Sequence, residues 1–463
     1  LLIICYRRTD DSAFSRWHSS GRRRKGLSDG RIRNDAYYNI QIKGEVEMLK
    51  VVENTRENFV DLMKDMISIK SLTCKEGDFA KFLLDRLGKV EGVDEVFADG
   101  AGNVCAIIRG DGTGPNILLN GHMDAVAEGN LENWLPFEPY KPEIVDGKLH
   151  GRGISDLKGG LAAQVCAFEA FAAEVVKSGK KLPGDLIFLG VVQEEPAEMF
   201  GMEYFFEHTM AEKNIKADCV YLCEPSSLDL AIGQRGKVEL VVKTYGKCAH
   251  SSAPEQGVNA LEYMVPVLQD IFSHTGIDLR QDNVGTTPIT VTNCIVKPGG
   301  TLSCIPDECE ISIDRRYAPG QSIEDLMAEF EAIFARLKTR WPDFKATVEP
   351  RVYEETSYTG YTNKVKKYHP AWATPEDNEF VQKSFKALRS LGQNPAAKYW
   401  KFGTDGGTTS AIHGIPTIGY SGALESQAHQ PKEWVDVEDM VKTYEGYVAM
   451  LAEVYGIDIA AFN

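Results

Sequence analysis

The chain has 463 residues, 43% of them hydrophobic, and carries a formal net charge of −16 at pH 7. That length accommodates two domains, and the acidic balance argues against nucleic acid or an anionic membrane as a partner. No apolar run approaches the roughly 20 residues that span a bilayer, and the ten cysteines, with no Cys-x-x-Cys pair, fit reduced thiols in a cytoplasm.

Residues 1–47 differ from the rest, with ten Lys or Arg against six Asp or Glu. Leu1–Cys5 is too short for the apolar core of a signal peptide. The codons for Gly44-Glu45-Val46 can spell a purine-rich GGAGAGG tract just before an ATG for Met48, as a translated ribosome-binding site would. Residues 1–47 are therefore expected to be a non-native or disordered extension, with a native basic arm as the alternative.

From Asn54 onward, helical periodicity and short apolar runs alternate. Helices are expected at Arg56–Ile69 and Phe79–Leu87. The run Asn116–Leu119 leads into Asn120-Gly121-His122-Met123-Asp124. Asp156 follows in Gly151-Arg152-Gly153-Ile154-Ser155-Asp156-Leu157-Lys158-Gly159-Gly160. The next helix, Gly160–Val176, places Leu161, Val165, Phe168, Ala172 and Val175 on one face. Leu186–Val192 leads into Gln193-Glu194-Glu195, and Cys219–Cys223 into Glu224. Such runs between helices predict a mainly parallel sheet covered on both faces. Lys237–Tyr245 and Cys309–Tyr317 instead alternate like half-exposed antiparallel strands, accompanied by helices at Val258–Phe272 and Ile323–Leu337. They predict a small α+β domain at 236–350, inserted into an α/β domain made of 48–235 and 351–463. Ile415–Tyr420 is the last apolar run, followed after a loop by His429.

Four expected strands thus deliver a carboxylate or imidazole at or beyond their carboxyl ends, the edge where open α/β sheets bind ligands. Each piece alone has a plainer reading. His122-x-Asp124 could be a surface pair, Glu194-Glu195 a solvated strand end, and Asp156 a helix cap. In combination they suit zinc or another borderline divalent metal.

His122-x-Asp124, Gly151-Arg152-Gly153 with Asp156-x-Lys158-Gly159, Glu194-Glu195, Glu224-Pro225 and His429 together resemble the two-zinc exopeptidase and deacylase superfamily. That group includes acetylornithine deacetylase, succinyl-diaminopimelate desuccinylase, aminoacylase and glutamate carboxypeptidase. Gly233-Gln234-Arg235-Gly236, His250-Ser251-Ser252-Ala253-Pro254 and Ser312-Ile313-Asp314-Arg315-Arg316 look most like the YgeY-type hydrolases. The resemblance implies two zinc ions per subunit, with manganese or cobalt as possible substitutes, bridged by Asp156. Glu195 and His429 would complete one site, and His122 and Glu224 the other. Asp124 would orient His122, and Glu194 would be the general base for a zinc-activated water. A cis peptide between Asp156 and Leu157 is implied as well.

The inserted domain would act as a lid and pair with its twin in a homodimer. His250 would then reach the partner's site to stabilise an oxyanion, or it could be a loop histidine capping the helix that follows. Arg316 matches a substrate-carboxylate arginine, with Arg315, or neither of the two, as the alternative. The substrate implied is a small amino-acid-derived amide: a dipeptide, or an N-acyl or N-carbamoyl amino acid. Ser303-Cys304-Ile305-Pro306 and Ser421-Gly422-Ala423 depart from the pattern of many relatives at positions that usually touch substrate, so Ser303 is a candidate substrate contact of its own kind. A catalytically inactive relative, keeping only dimerisation or ligand binding, would be expected to lack a ligand or the base, and none is missing. No cysteine stands in a nucleophile motif with a paired base.

Overall fold

Large aliphatic residues that alternate between two buried faces make extended strands of the runs between positions 95 and 235. The computed structural model describes residues 48–195, 199–274, 280–281, 284–298 and 303–463. The expectation for residues 1–47 lies outside them. The larger sheet contains β1 (Glu95–Ala98), β2 (Val104–Ile108), β3 (Ile117–His122), β4 (Leu186–Val191), β5 (Cys219–Leu222), β6 (Leu230–Gln234), β7 (Trp372–Ala373), β8 (Ala397–Trp400) and β9 (Thr417–Gly419). Their order is β1-β2-β4-β3-β5-β9-β6-β7, with β8 also paired to β6. The central block β4-β3-β5-β9 is parallel, and antiparallel strands flank it.

In that block Ile117, Leu119, Leu186, Phe188, Cys219 and Tyr221 face one core, and Leu118, Ile187, Leu189, Val220 and Leu222 face another. Helices Lys50–Ser68, Gly159–Ser178 and Val437–Tyr455 cover the first face. Met202, Phe205, Trp372 and Trp400 cover the second. Burial on both sides is why these strands read as unbroken apolar runs.

Helix Gly159–Ser178 departs from its expected one-sided pattern, being buried almost continuously from Gly159 to Ala172. With the preceding turn it is, by length and composition alone, apolar enough to cross a membrane, yet 72% of its apolar stretch is packed inside the fold. Gly160 permits this packing, because a Cβ there would lie 2.3 Å from the Cys223 carbonyl oxygen. The helix ends at Gly179, whose φ of 67° suits glycine and whose N–H donates to the Val175 carbonyl.

Between β6 and β7 the chain builds a second, antiparallel sheet, ordered Ile289–Lys297, Glu308–Tyr317, Gly236–Tyr245 and Lys345–Pro350. Val238, Leu240, Val242, Ile311 and Ile313 form a separate core with Met264, Val267, Leu326 and Phe330 from helices Ala260–His274 and Ile323–Arg340. A Ser322–Asp325 capping box starts the second helix. Tyr368–His369 pairs with Val238 and Lys237, so the returning chain joins this sheet before entering β7.

Candidate metal centre

The parallel register decides which side chains share an edge. His122, the last residue of β3, lies level with Val191 of β4, and Asn120 lies level with Leu222 of β5. Glu194 and Glu224 therefore emerge within a few residues of His122 on the same side of the sheet. Gln193 turns the chain sharply there with a φ of 56°. Its amide donates to Glu76 Oε1 at 3.2 Å. The next two amides, of Glu194 and Glu195, donate to the Asp124 carboxylate at 3.1 and 3.3 Å. Asp124 also accepts from Thr73 Oγ1 at 2.8 Å.

Asp156 is central. Its Oδ1 lies 3.0 Å from His122 Nε2, and its Oδ2 lies 3.3 Å from His429 Nε2. His429 Nε2 is 2.9 Å from Glu195 Oε2, and His122 Nε2 is 3.8 Å from Glu224 Oε1. His122 Nδ1 stands 2.9 Å from the Asp124 carbonyl oxygen. A carbonyl only accepts, so Nδ1 carries a proton and Nε2 is the nitrogen available to a metal. Asp124 thus meets His122 mainly through its main chain, with its carboxylate 3.5 Å away. The peptide between Asp156 and Leu157 is cis, as expected.

The electrostatics are those of crowded acids. Burial, reinforced by the neighbouring carboxylates, raises Glu194 and Glu224 well above the usual range, and it raises Glu195 too. Burial also opposes charge on Asp156, but hydrogen bonds from His122 and His429 outweigh it and hold that carboxyl below its usual value. Hydrogen bonds to Asp156 and Glu195 push His429 up to about 10. His122 is raised as well, its bonds to Asp124 and Asp156 overcoming burial. Glu194 Oε1 and Glu195 Oε1 are buried with no hydrogen-bond partner among the described residues. Ligand atoms of His122, Asp156 and Glu195 lie within 4.8 Å of one another, as do those of His122, Glu194 and Glu224. Buried acids with unsatisfied oxygens beside imidazoles form a donor set that fits divalent cations.

A cleft of about 260 Å³ opens over these groups, lined also by Lys237, Arg316, His369 and Phe402. Arg316 reaches it while paired with Asp314 at 2.7 Å. Arg315 points elsewhere, donating to the Thr287 and Arg316 carbonyls and to Glu329. His250 and Ser303 do not line this cleft in their own chain. His250 is exposed, with its Nδ1 accepting from the Ser252 amide at 3.1 Å, while the helix that follows has its Leu261 amide bonded to Asn259 Oδ1 instead. It bridges to Cys304, and the Ser251 amide donates to the Ser303 carbonyl at 2.9 Å.

Three residues near the cluster escaped the sequence reading. His369 Nε2 lies 3.9 Å from Glu194 Oε1. Asp405 is buried and raised to about 7 by burial, which His122 opposes and Asp124 reinforces. The Asn120 amide, turned so that its nitrogen faces the acid, donates to Asp405 at 3.1 Å. The glycine-flanked Thr404-Asp405-Gly406-Gly407 was the available signal. Glu433 lies four residues beyond His429, with its carboxylate buried beneath the turn that carries Asp156.

Residues 118–453 match the model of peptidase family M20/M25/M40. The chain belongs to this family. It is 31% identical over 414 residues to the YgeY protein of Escherichia coli K12, covering 88% of this chain and 95% of that one. It is 26% identical to succinyl-diaminopimelate desuccinylase of Rickettsia felis, covering 86% of this chain and all of the relative. Its fold is similar to that of aminopeptidase PepT from Bacillus cereus, with a TM-score of 0.64 at 23% identity, over 86% of this chain and 98% of that one. This M20-family chain is a metallo-hydrolase of mixed α/β architecture with an inserted α+β domain.

Proposed function

We propose that this M20-family protein hydrolyses an amide-type bond in a small amino-acid-derived substrate, a dipeptide or an N-acyl or N-carbamoyl amino acid. The observation that carries the reading is Asp156, whose two oxygens face different histidines, each beside a further carboxylate. Two divalent ions, zinc by donor preference with manganese or cobalt able to use the same side chains, would be held by His122, Glu224 and Asp156 and by Glu195, His429 and Asp156, and would lower the pKa of a water and polarise a carbonyl. Glu194 accepts a proton from the attacking water on its carboxylate and delivers it to the leaving nitrogen. Asp124 fixes His122 and the Glu194-Glu195 main chain together. Arg316, in the same cleft, offers a fork for a substrate carboxylate.

Residues 236–350 serve in this reading as a lid between the catalytic parts 48–235 and 351–463. The lid pairs with a second copy in a homodimer, and His250 and Ser303 act on the partner's substrate. The desuccinylase relative favours acyl substrates, and the inactive alternative has no lost ligand in its favour.

Elemental analysis of metal-replete protein is expected to find about two ions per chain. Glu194→Gln should keep them while kcat falls by about 10²- to 10⁴-fold on whichever substrate a panel of dipeptides, N-acyl and N-carbamoyl amino acids reveals. Near-normal turnover in that variant would remove Glu194 as the base.

A further inference from the structure

The turn that presents Asp156 is built around a carboxylate from far along the chain. Gly153 enters it with a φ of 80°, open to glycine and strained for other residues. The main-chain amides of Gly153, Ser155 and Asp156 then point inward and need acceptors. Glu433 supplies them. Its Oε2 accepts from the Gly153 amide at 2.9 Å and from Arg152 Nη1 at 2.8 Å. Its Oε1 accepts from the Ser155 amide at 2.7 Å and the Asp156 amide at 3.1 Å. The side chain is 1% exposed, so no water competes for these donors. Three main-chain amides converging on one anion form a nest, here filled by the protein itself.

Glu433 also sits on the segment that carries His429. That segment is tied back to the strand before the turn, because the Gly151 amide donates to the Glu433 carbonyl at 3.1 Å and Trp434 pairs with His150. One residue therefore joins the chain bearing His429 to the turn bearing Asp156. The two side chains so linked stand 3.3 Å apart.

We propose that Glu433 is a positioning residue for the metal centre, which holds Asp156 at the separation from His429 that their shared ion requires. The inference rests on Asp156 and His429 being ligands, as read above. It assigns Glu433 no contact with metal or substrate. Its effect passes through the three amides, and the Arg152 ion pair balances the buried charge.

The test uses the full-length protein loaded with Co2+, whose d–d absorption reports ligand geometry without any substrate. Glu433→Gln converts one oxygen into a donor that faces amides. Glu433→Asp keeps the charge but is one methylene too short to reach all four donors, and it secures the test should the glutamine variant fail to fold. In both, Co2+ affinity at one site should fall by about 10- to 100-fold and the d–d band should change shape, while Arg152→Met should shift the band less than either. A purely structural role would lower the unfolding temperature and leave the Co2+ affinities and the spectrum at wild-type values, and that result would overturn the proposal. His429→Ala separates the two levels. Loss of one ion there, with wild-type Co2+ affinities and spectrum in the Glu433 variants, would refute the positioning role alone, whereas full retention in His429→Ala would refute the ligand reading beneath it.

Discussion

At the scale of single residues, the centre is a set of acids and imidazoles that stabilise one another through shared protons. Glu194, Glu195 and Glu224 are raised by burial, and His429 is raised to about 10 by Asp156 and Glu195. A group whose pKa is raised on folding contributes stability in full below its unfolded value, and loses it as pH rises through its folded value. For His429 that window runs from about 6.5 to about 10. For the three glutamates it opens at about 4.5 and extends upward. In the proposed site metal binds only the deprotonated forms of His429, Glu195 and Glu224, so loading would expel their protons. Calorimetric titration of chelated protein with Zn2+, in buffers of different ionisation enthalpy, should show about one or more protons released per chain at pH 7. The gain in unfolding temperature on loading should grow from pH 6 to pH 8. A buffer-independent enthalpy with a pH-independent gain would contradict this account. Which residues gather there was legible from the residues themselves where an apolar run ends near a polar side chain, as at His122, Glu194 and Glu224, while Asp156 and His429 were singled out by the motif resemblance. Asp405 and Glu433 lie in polar loops with no such run before them. The turn that Glu433 fills is more than 270 positions away, a pairing that periodicity cannot carry.

At the scale of elements, the centre depends on the parallel block keeping its strand ends level. The apolar runs located those strands to within a few residues, because burial on both faces leaves a continuous hydrophobic signature. The antiparallel flanks were less legible. Two-residue β7 is too short for any period to register. The helix after Asp156 was found, but its burial on nearly all sides was not, since a one-face pattern is what an ordinary surface helix writes. The two glycines at its start explain the difference. A Cβ on Gly160 would stand 2.3 Å from the Cys223 carbonyl oxygen and 2.9 Å from its Cβ, both backbone-anchored. Gly160→Ala must therefore push the helix away from Cys223, which follows β5 and directly precedes Glu224. The expected cost is about 1–3 kcal/mol, read as a lowered unfolding midpoint, with weakened metal affinity because Glu224 moves too. An unchanged midpoint would mean that this approach has slack the geometry does not indicate.

At the scale of the whole molecule, the inserted domain turns two of its candidates in different directions. Arg316 reaches the cleft over the acids, where it is level with Lys237 on the neighbouring strand. His250 stands exposed beside Ser252 and lines no part of that cleft. The sequence could place both on the lid, but which way a lid loop faces depends on tertiary packing. If the chain pairs through its lid as proposed, each centre takes Glu194 from one copy and His250 from the other. Glu194→Gln and His250→Ala should then each be nearly inactive alone. Combined in equal amounts by co-expression with two affinity tags, half of the dimers are mixed. Each mixed dimer rebuilds one complete centre from the His250→Ala copy's Glu194 and the Glu194→Gln copy's His250, while its other centre lacks both. Activity should return to about one quarter of wild type in the unsorted pool and about one half in the doubly purified mixed dimer. Mixed dimers that recover nothing would show that His250 does not act across the interface. A pool with no mixed species at all, together with a monomeric mass by sedimentation, would refute the pairing itself, and the lid would then have to close over its own centre to bring His250 near Glu194.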